Sequence, residues 1–130
     1  TIYGDGTSGS VICDSEIYDI GNNYSGTTGL FTAPITGEYH FDGHVFALGF
    51  SGQTLTQIRV VTTARAYAVQ SYLIPTNVGV VISCDADMAA GETAYLQFQA
   101  NGGAKIVDIY GAAPTPSLYT YWSGFYIGRP

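Results

Sequence analysis

Positive charge is what this sequence has least of. Only Arg59, Arg65, Lys105 and Arg129 carry it among 130 residues, against ten Asp and Glu. Four scattered cations cannot track a phosphate backbone, so no nucleic-acid partner is expected. Charged residues of both signs make up only 11% of the chain, where about 25% is usual. With so few ionic side chains to cover the surface, some apolar surface is expected to be buried against another subunit. Long hydrophobic runs are also missing. The longest aliphatic run, Val78 to Ile82, is far too short to span a bilayer, so no membrane insertion is expected. Thr1 is compatible with a removed Met or a removed leader. Cysteine is scarce: Cys13 and Cys84 form no CxxC motif. Cys84 falls in phase with Val80, Ile82, Ala86 and Met88, which favours a buried free thiol. A Cys13–Cys84 bridge would require an oxidising compartment.

Helical periodicity is absent too. Runs of period two take its place, rich in Tyr, Val, Ile, Thr and Phe and separated by Gly, Pro, Asn and Ser. They predict strands near residues 11–20, 30–33, 37–48, 55–62, 65–74, 78–88, 93–100, 104–110 and 118–127. Many short strands in a chain of one-domain length argue for an all-β sandwich or barrel. No internal repeat supports a propeller or solenoid. The opening "TIYGDGTSGS" is Gly-rich, so residues 1–14 are predicted to be an arm or connector and residues 15–130 the domain.

The stretch "TGLFTAPITGEYHFDGHV" places Glu38, His40, Asp42 and His44 at alternate positions. On a strand these four share one face, with His40 and His44 ~13 Å apart. Metal–ligand bonds are ~2.0–2.2 Å, so one strand cannot bring both imidazoles to a single ion. The row reads instead as a polar face satisfied by neighbouring strands or by a subunit contact. "GFSGQ" lacks the second glycine of a nucleophile elbow. "GDG" has no helix after it and is a turn rather than a phosphate loop. Short hairpin loops seldom build the cleft that a catalytic carboxylate pair needs. No enzyme activity is therefore expected. Asp85 and Asp87 alternate on one strand and are a weak Ca²⁺ candidate, lacking the Gly and distal Glu of an EF-hand. No other metal or cofactor is expected.

Three segments carry a family likeness. "YDIGNNYSGTTGLFTAPITGEYHFDGHV" resembles the most recognisable segment of C1q-like domains, through Asn23, Tyr24, Gly29, Phe31, Thr32, Pro34, Gly37, Tyr39, Phe41 and His44. "DADMAAGETAYLQF" is similar to a later strand pair of the family, with Gly91-Glu92 where Gly-Asp is usual. "YWSGFYIG" resembles the terminal strand, through Ser123, Gly124, Phe125 and Ile127. The resemblance implies a ten-strand jelly-roll sandwich of the C1q/tumour-necrosis-factor type, assembled as a homotrimer that binds proteins or glycans. It implies a core containing Phe31, Pro34, Gly37, Tyr39, Phe41, Val45, Phe98, Gly124, Phe125 and Ile127. Glu38, His40, Asp42, His44, Tyr121, Trp122 and Tyr126 would then face the other subunits.

The 130 residues contain no Gly-X-Y repeat, and the basic patches of complement-type members are missing from them. The Gly-rich lead-in is similar to segments of bacteriophage virion proteins, in which C1q-like domains also occur. That second likeness implies a virion surface, as a capsid decoration protein or a tail-fibre receptor-binding tip. The partners would be other virion proteins or a host-surface glycan or protein. The alternative is a secreted, extracellular recognition domain of a cell. Because His40 and His44 would repeat near one axis, trimer stability is expected to respond to acid. The sign depends on whether carboxylates or other imidazoles lie closest.

Overall fold

The computed structural model describes residues 2–17, 19–72, 75–111 and 117–129. Ten strands run along them in chain order, with no helix among the described residues. They are β1 (Ile2–Tyr3), β2 (Thr7–Ser10), β3 (Phe31–Thr32), β4 (Gly37–Leu48) and β5 (Gln53–Thr62). Then follow β6 (Ala66–Ser71), β7 (Asn77–Met88), β8 (Thr93–Gly102), β9 (Val107–Tyr110) and β10 (Tyr121–Gly128). All pairings are antiparallel. In the first sheet β4 is central, with β7 along its full length on one side. On its other side β10 pairs with residues 38–44 and β9 with residues 46–48, and β1 adds to β9. In the second sheet the order is β2-β8-β5-β6, with β3 also on β8. The result is a jelly-roll β-sandwich.

Alternation decides which side chains enter it. Along β4, Gly37, Tyr39, Phe41, Gly43, Val45 and Ala47 are buried while every intervening residue is half-buried. Ile58, Val60, Leu96 and Phe98 answer them from the second sheet at no exposure. Phe31, half-buried, sets its ring against Tyr39 and Phe41 at 5.4 and 5.6 Å between centroids. Gly43 is required by this closeness: a Cβ there would lie 2.9 Å from Leu96 Cδ1 and 3.2 Å from Ile82 Cγ2.

Two expectations fail at the N-terminal end. The lead-in is not an arm: β1 and β2 enter the two sheets, and Tyr3 is buried with its ring edge-on to Phe98. Glycines at positions 4 and 6, both with positive φ, turn the chain between them. The strand expected at 11–20 is not one. Its described residues are irregular chain, held by the Tyr24 hydroxyl, which bonds both N–H and C=O of Cys13 at 3.1 and 3.0 Å. The Asp19 carboxylate accepts from the Asn23 and Tyr24 amides and closes the turn that follows. Of the strand expected at 65–74, the last two residues lie outside the described ones, as does most of the "GAAPTPS" connection.

Three expected core residues are misplaced. Pro34 is exposed in the turn before β4. Phe125 and Ile127 on β10 are 59% and 48% exposed. The expected core and interface residues of β10 were drawn from both phases of the strand, and strict alternation sorts them differently: Tyr121 stays outward, Phe125 joins it, and Gly124 stays over the core. Trp122 and Tyr126 face inward, stacking on Phe41 at 5.7 Å and meeting Tyr39 at 5.3 Å. Gly124, between them, has no side chain because the Phe41 ring occupies that space.

Candidate functional site

The outer face of the first sheet collects the ionisable residues that alternate in the sequence. Antiparallel register puts His40 beside Asp85 of β7 and Phe125 of β10. Asp42 lies between Ser83 and Ser123, His44 between Val81 and Tyr121, and Glu38 beside Asp87. Cross-strand neighbours on one face stand within side-chain reach, so these rows interact directly.

His40 is the centre of the face. Its Nδ1 lies 2.6 Å from Asp85 Oδ1 and its Nε2 lies 3.0 Å from Asp42 Oδ2. A neutral imidazole has one N–H and can donate to only one of these acids; the imidazolium donates to both. The Asp85 hydrogen bond is the largest influence on His40; burial opposes it and comes next, and the Asp42 hydrogen bond with the charges of both acids leaves the pKa above its ordinary 6.5. The Phe125 ring lies against the imidazole at 5.1 Å. His44 is held differently: its Nδ1 meets the Tyr119 carbonyl at 2.5 Å and its ring stacks on Tyr121 at 5.5 Å. Gly79 makes room for it, since a Cβ there would stand 3.1 Å from His44 Nε2.

Ser83 Oγ stands 3.4 Å from His40 Nε2, which makes a Ser–His–Asp order with Asp85. The order does not make a nucleophile. Asp42 holds Nε2 more closely than Ser83 does, so the imidazole nitrogen that would take the serine proton is occupied. Asp85 and Asp87, the weak Ca²⁺ candidates, point outward on β7, and one oxygen of Asp85 is spent on His40. Among the described residues no three His, Cys, Asp or Glu are grouped to hold a metal ion.

Of the seven residues expected to face other subunits, the structure brings Glu38, His40, Asp42, His44 and Tyr121 together on this face. Trp122 and Tyr126 lie on the other side of β10. Sequence reading missed Phe125 and Val81, which border the ionisable row and are 59% and 60% exposed. Ile127, 48% exposed, falls at a bulge where β10 loses register with β4. The period-two signal was present in "YWSGFYIG", but a strand with aromatics in both phases does not reveal which phase is inward.

A cleft of about 1000 Å³, which the short loops did not predict, opens between residues 10–17 and 19–24 on one side and β10 on the other. Its floor is aromatic, formed by Tyr24, Phe31, Phe41 and Trp122. Cys13, on its wall, and Cys84 are both free and half-buried. Burial raises the pKa of each thiol; at Cys84 burial, with smaller effects of Asp85 and Asp42, pushes it up to about 11.

Two antiparallel sheets, a central β4 flanked by β7 and the last strand, and an exposed aromatic–ionisable face define a jelly-roll module of the interaction type. The chain matches the C1q domain family over residues 4–127 and belongs to it. Its fold is similar to that of the globular domain of zebrafish complement 1qA protein, with a TM-score of 0.60 and 16% identity. That likeness covers 89% of this chain and 82% of the zebrafish one. No curated protein sequence matches the chain. Among the described residues no helix is long and apolar enough to cross a membrane.

Proposed function

We propose that the chain is a non-enzymatic recognition module that assembles as a homotrimer through the outer face of the first sheet. The observation that carries this reading is the exposure of Val81, Tyr121 and Phe125 around the His40 cluster. Apolar and aromatic side chains at this exposure, on one contiguous face, are what a subunit contact buries. The shortage of charge in the whole chain points the same way. Sedimentation velocity tests it. The wild-type chain should run as a trimer at micromolar concentration, and Phe125→Asp or Val81→Asp should yield folded monomers. A monomeric wild type, or trimers in both variants, would refute the assignment.

Two settings fit such a module. One is a virion surface, as decoration protein or fibre tip; the other is a secreted recognition domain of a cell. The virion setting rested on the Gly-rich lead-in, and that segment supplies two strands of the domain, so it is no separate sign of a virion. Membership of the C1q domain family supports the recognition role in either setting. Copurification of the natural chain with particles, against its appearance as a free extracellular protein, separates the two.

A further inference from the structure

The two outer faces of the sandwich differ in charge. Glu38, Asp42, Asp85 and Asp87 stand on the first sheet, whereas β2, β3, β5, β6 and β8 contain no Asp or Glu. The one cation of the second sheet is Arg59, on the outward side of β5. Register places Gln70, Gln57, Gln99 and Ser8 in one outward row across β6, β5, β8 and β2. Ala68, Arg59, Gln97 and Ser10 form the next row. Four strands at ~4.8 Å spacing make each row about 14 Å long.

A carboxamide both donates and accepts, as a sugar hydroxyl does, and hydroxyl groups at the row ends do the same. The amide lattice is partly preset. Gln99 Oε1 accepts from Arg59 Nη2 at 2.7 Å, and Gln99 Nε2 donates to Asn101 Oδ1 at 2.9 Å. Such fixing lowers the ordering that a ligand must impose. Gln57 and Gln97 make no side-chain hydrogen bond to another described residue, so their capacity is open. Tyr72, 72% exposed, donates its hydroxyl to Gln70 Oε1 at 2.8 Å and sets an aromatic ring at the end of the first row.

Arg59 is short of acceptors. Its Nη2 donates to Gln99 alone among the described residues, and its Nε is buried without a partner and out of a ligand's reach. No strand of its sheet carries a carboxylate, so the outer edge of the guanidinium is what a ligand could meet. Exposed Ala66 and Ala68 on β6 leave the adjacent surface low. In a chain of net charge −6, with acids concentrated on the opposite face, this is where an anionic ligand is least repelled. We infer that the outer face of the second sheet binds a glycan bearing a carboxylate, the acid group on Arg59 and the hydroxyls on the amide rows. This deepens the recognition reading and rests on it, but it uses the sheet opposite to the one assigned to trimer contacts.

Titrations followed by amide chemical shifts would test it, using sialyllactose and a trigalacturonate beside lactose and the methyl ester of the trigalacturonate. At least one acidic member should bind in preference to its neutral counterpart and shift resonances of β5 and β8. Arg59→Gln should weaken it by about tenfold or more, and Arg59→Lys should restore part of the loss. Gln97→Ala, which leaves the charge in place, should also weaken binding. Equal binding of acidic and neutral members with Arg59→Gln unaffected would overturn the inference. So would shifts confined to the first sheet, or no binding of any of the four. Sedimentation of the same samples keeps a failure here distinct from a failure of the trimer assignment.

Discussion

Replacing Gly124 by Ala would set a methyl group 2.6 Å from Phe41 Cδ1 and 2.7 Å from Cε1. Carbon atoms in contact sit at ~3.5–4.0 Å, so the ring would have to retreat by about 1 Å. It has nowhere to go. Phe41 is 1% exposed, stacked on Trp122 at 5.7 Å and edged by Phe31 at 5.6 Å. Gly124 does not have a left-handed φ, so the backbone itself accepts Ala and the conflict is purely one of packing. Overpacking of this kind costs about 1–3 kcal/mol. Removing glycine's backbone freedom in a strand returns ~0.5–1 kcal/mol. A 2.6 Å conflict with a locked ring belongs in the upper half of the overpacking range, about 2–3 kcal/mol. A net loss of about 1–2.5 kcal/mol follows, and for a chain of this size that lowers Tm by roughly 3–12 °C. Thermal melts by circular dichroism would read it, with Ser123→Ala, on the outward side of the same strand, as a control close to wild type. In the Gly124→Ala background, Phe41→Leu should cost less than it does alone, because it removes the atoms in conflict. A Gly124→Ala melt within about 1 °C of wild type, or strictly additive effects in the double variant, would refute the reasoning.

Acid should strengthen the His40 cluster. Its folded pKa lies above 6.5 because two carboxylates accept from the ring, so the proton's contribution is full below about pH 6.5 and is lost as pH rises through the folded value. The Tm gap between wild type and His40→Gln should therefore be wider at about pH 6 than at about pH 9; the opposite order would reverse the assignment. In a Cys13→Ser background, Cys84 should react with a thiol reagent about 100-fold more slowly in the folded protein than in urea, given a pKa pushed up to about 11 from 9.0. Equal rates would show that the thiol is not held in the buried site described. Phe125→Asp and Val81→Asp should shift sedimentation toward monomer without lowering Tm greatly, since both side chains are already more than half exposed in the single chain.

Much of the site was legible in "GEYHFDGHV" because strand side chains alternate strictly. Tyr39, Phe41 and Val45 had to share one face, and Glu38, His40, Asp42 and His44 the other. Short, Gly-punctuated runs gave the same strong signal for β5, β7 and β8. The Gly-rich lead-in misled, because glycine looks like a linker when the partner strands cannot be seen. Its partners on β8 and β9 lie 87 to 106 positions away.

The chain's own residues determine that it is all-β, where most of its strands lie, and which residues of β4 share a face, because period and turn chemistry are local properties. Tertiary structure decided the phase of β10, where the Phe41 ring needs the space at Gly124 and so turns Trp122 and Tyr126 inward. It also decided that His40, which shares a face with Asp42 of its own strand, meets Asp85 of β7 on its other nitrogen, and that the acids leave an entire sheet to Arg59. Those outcomes depend on register and on contacts between distant strands, which no local pattern encodes.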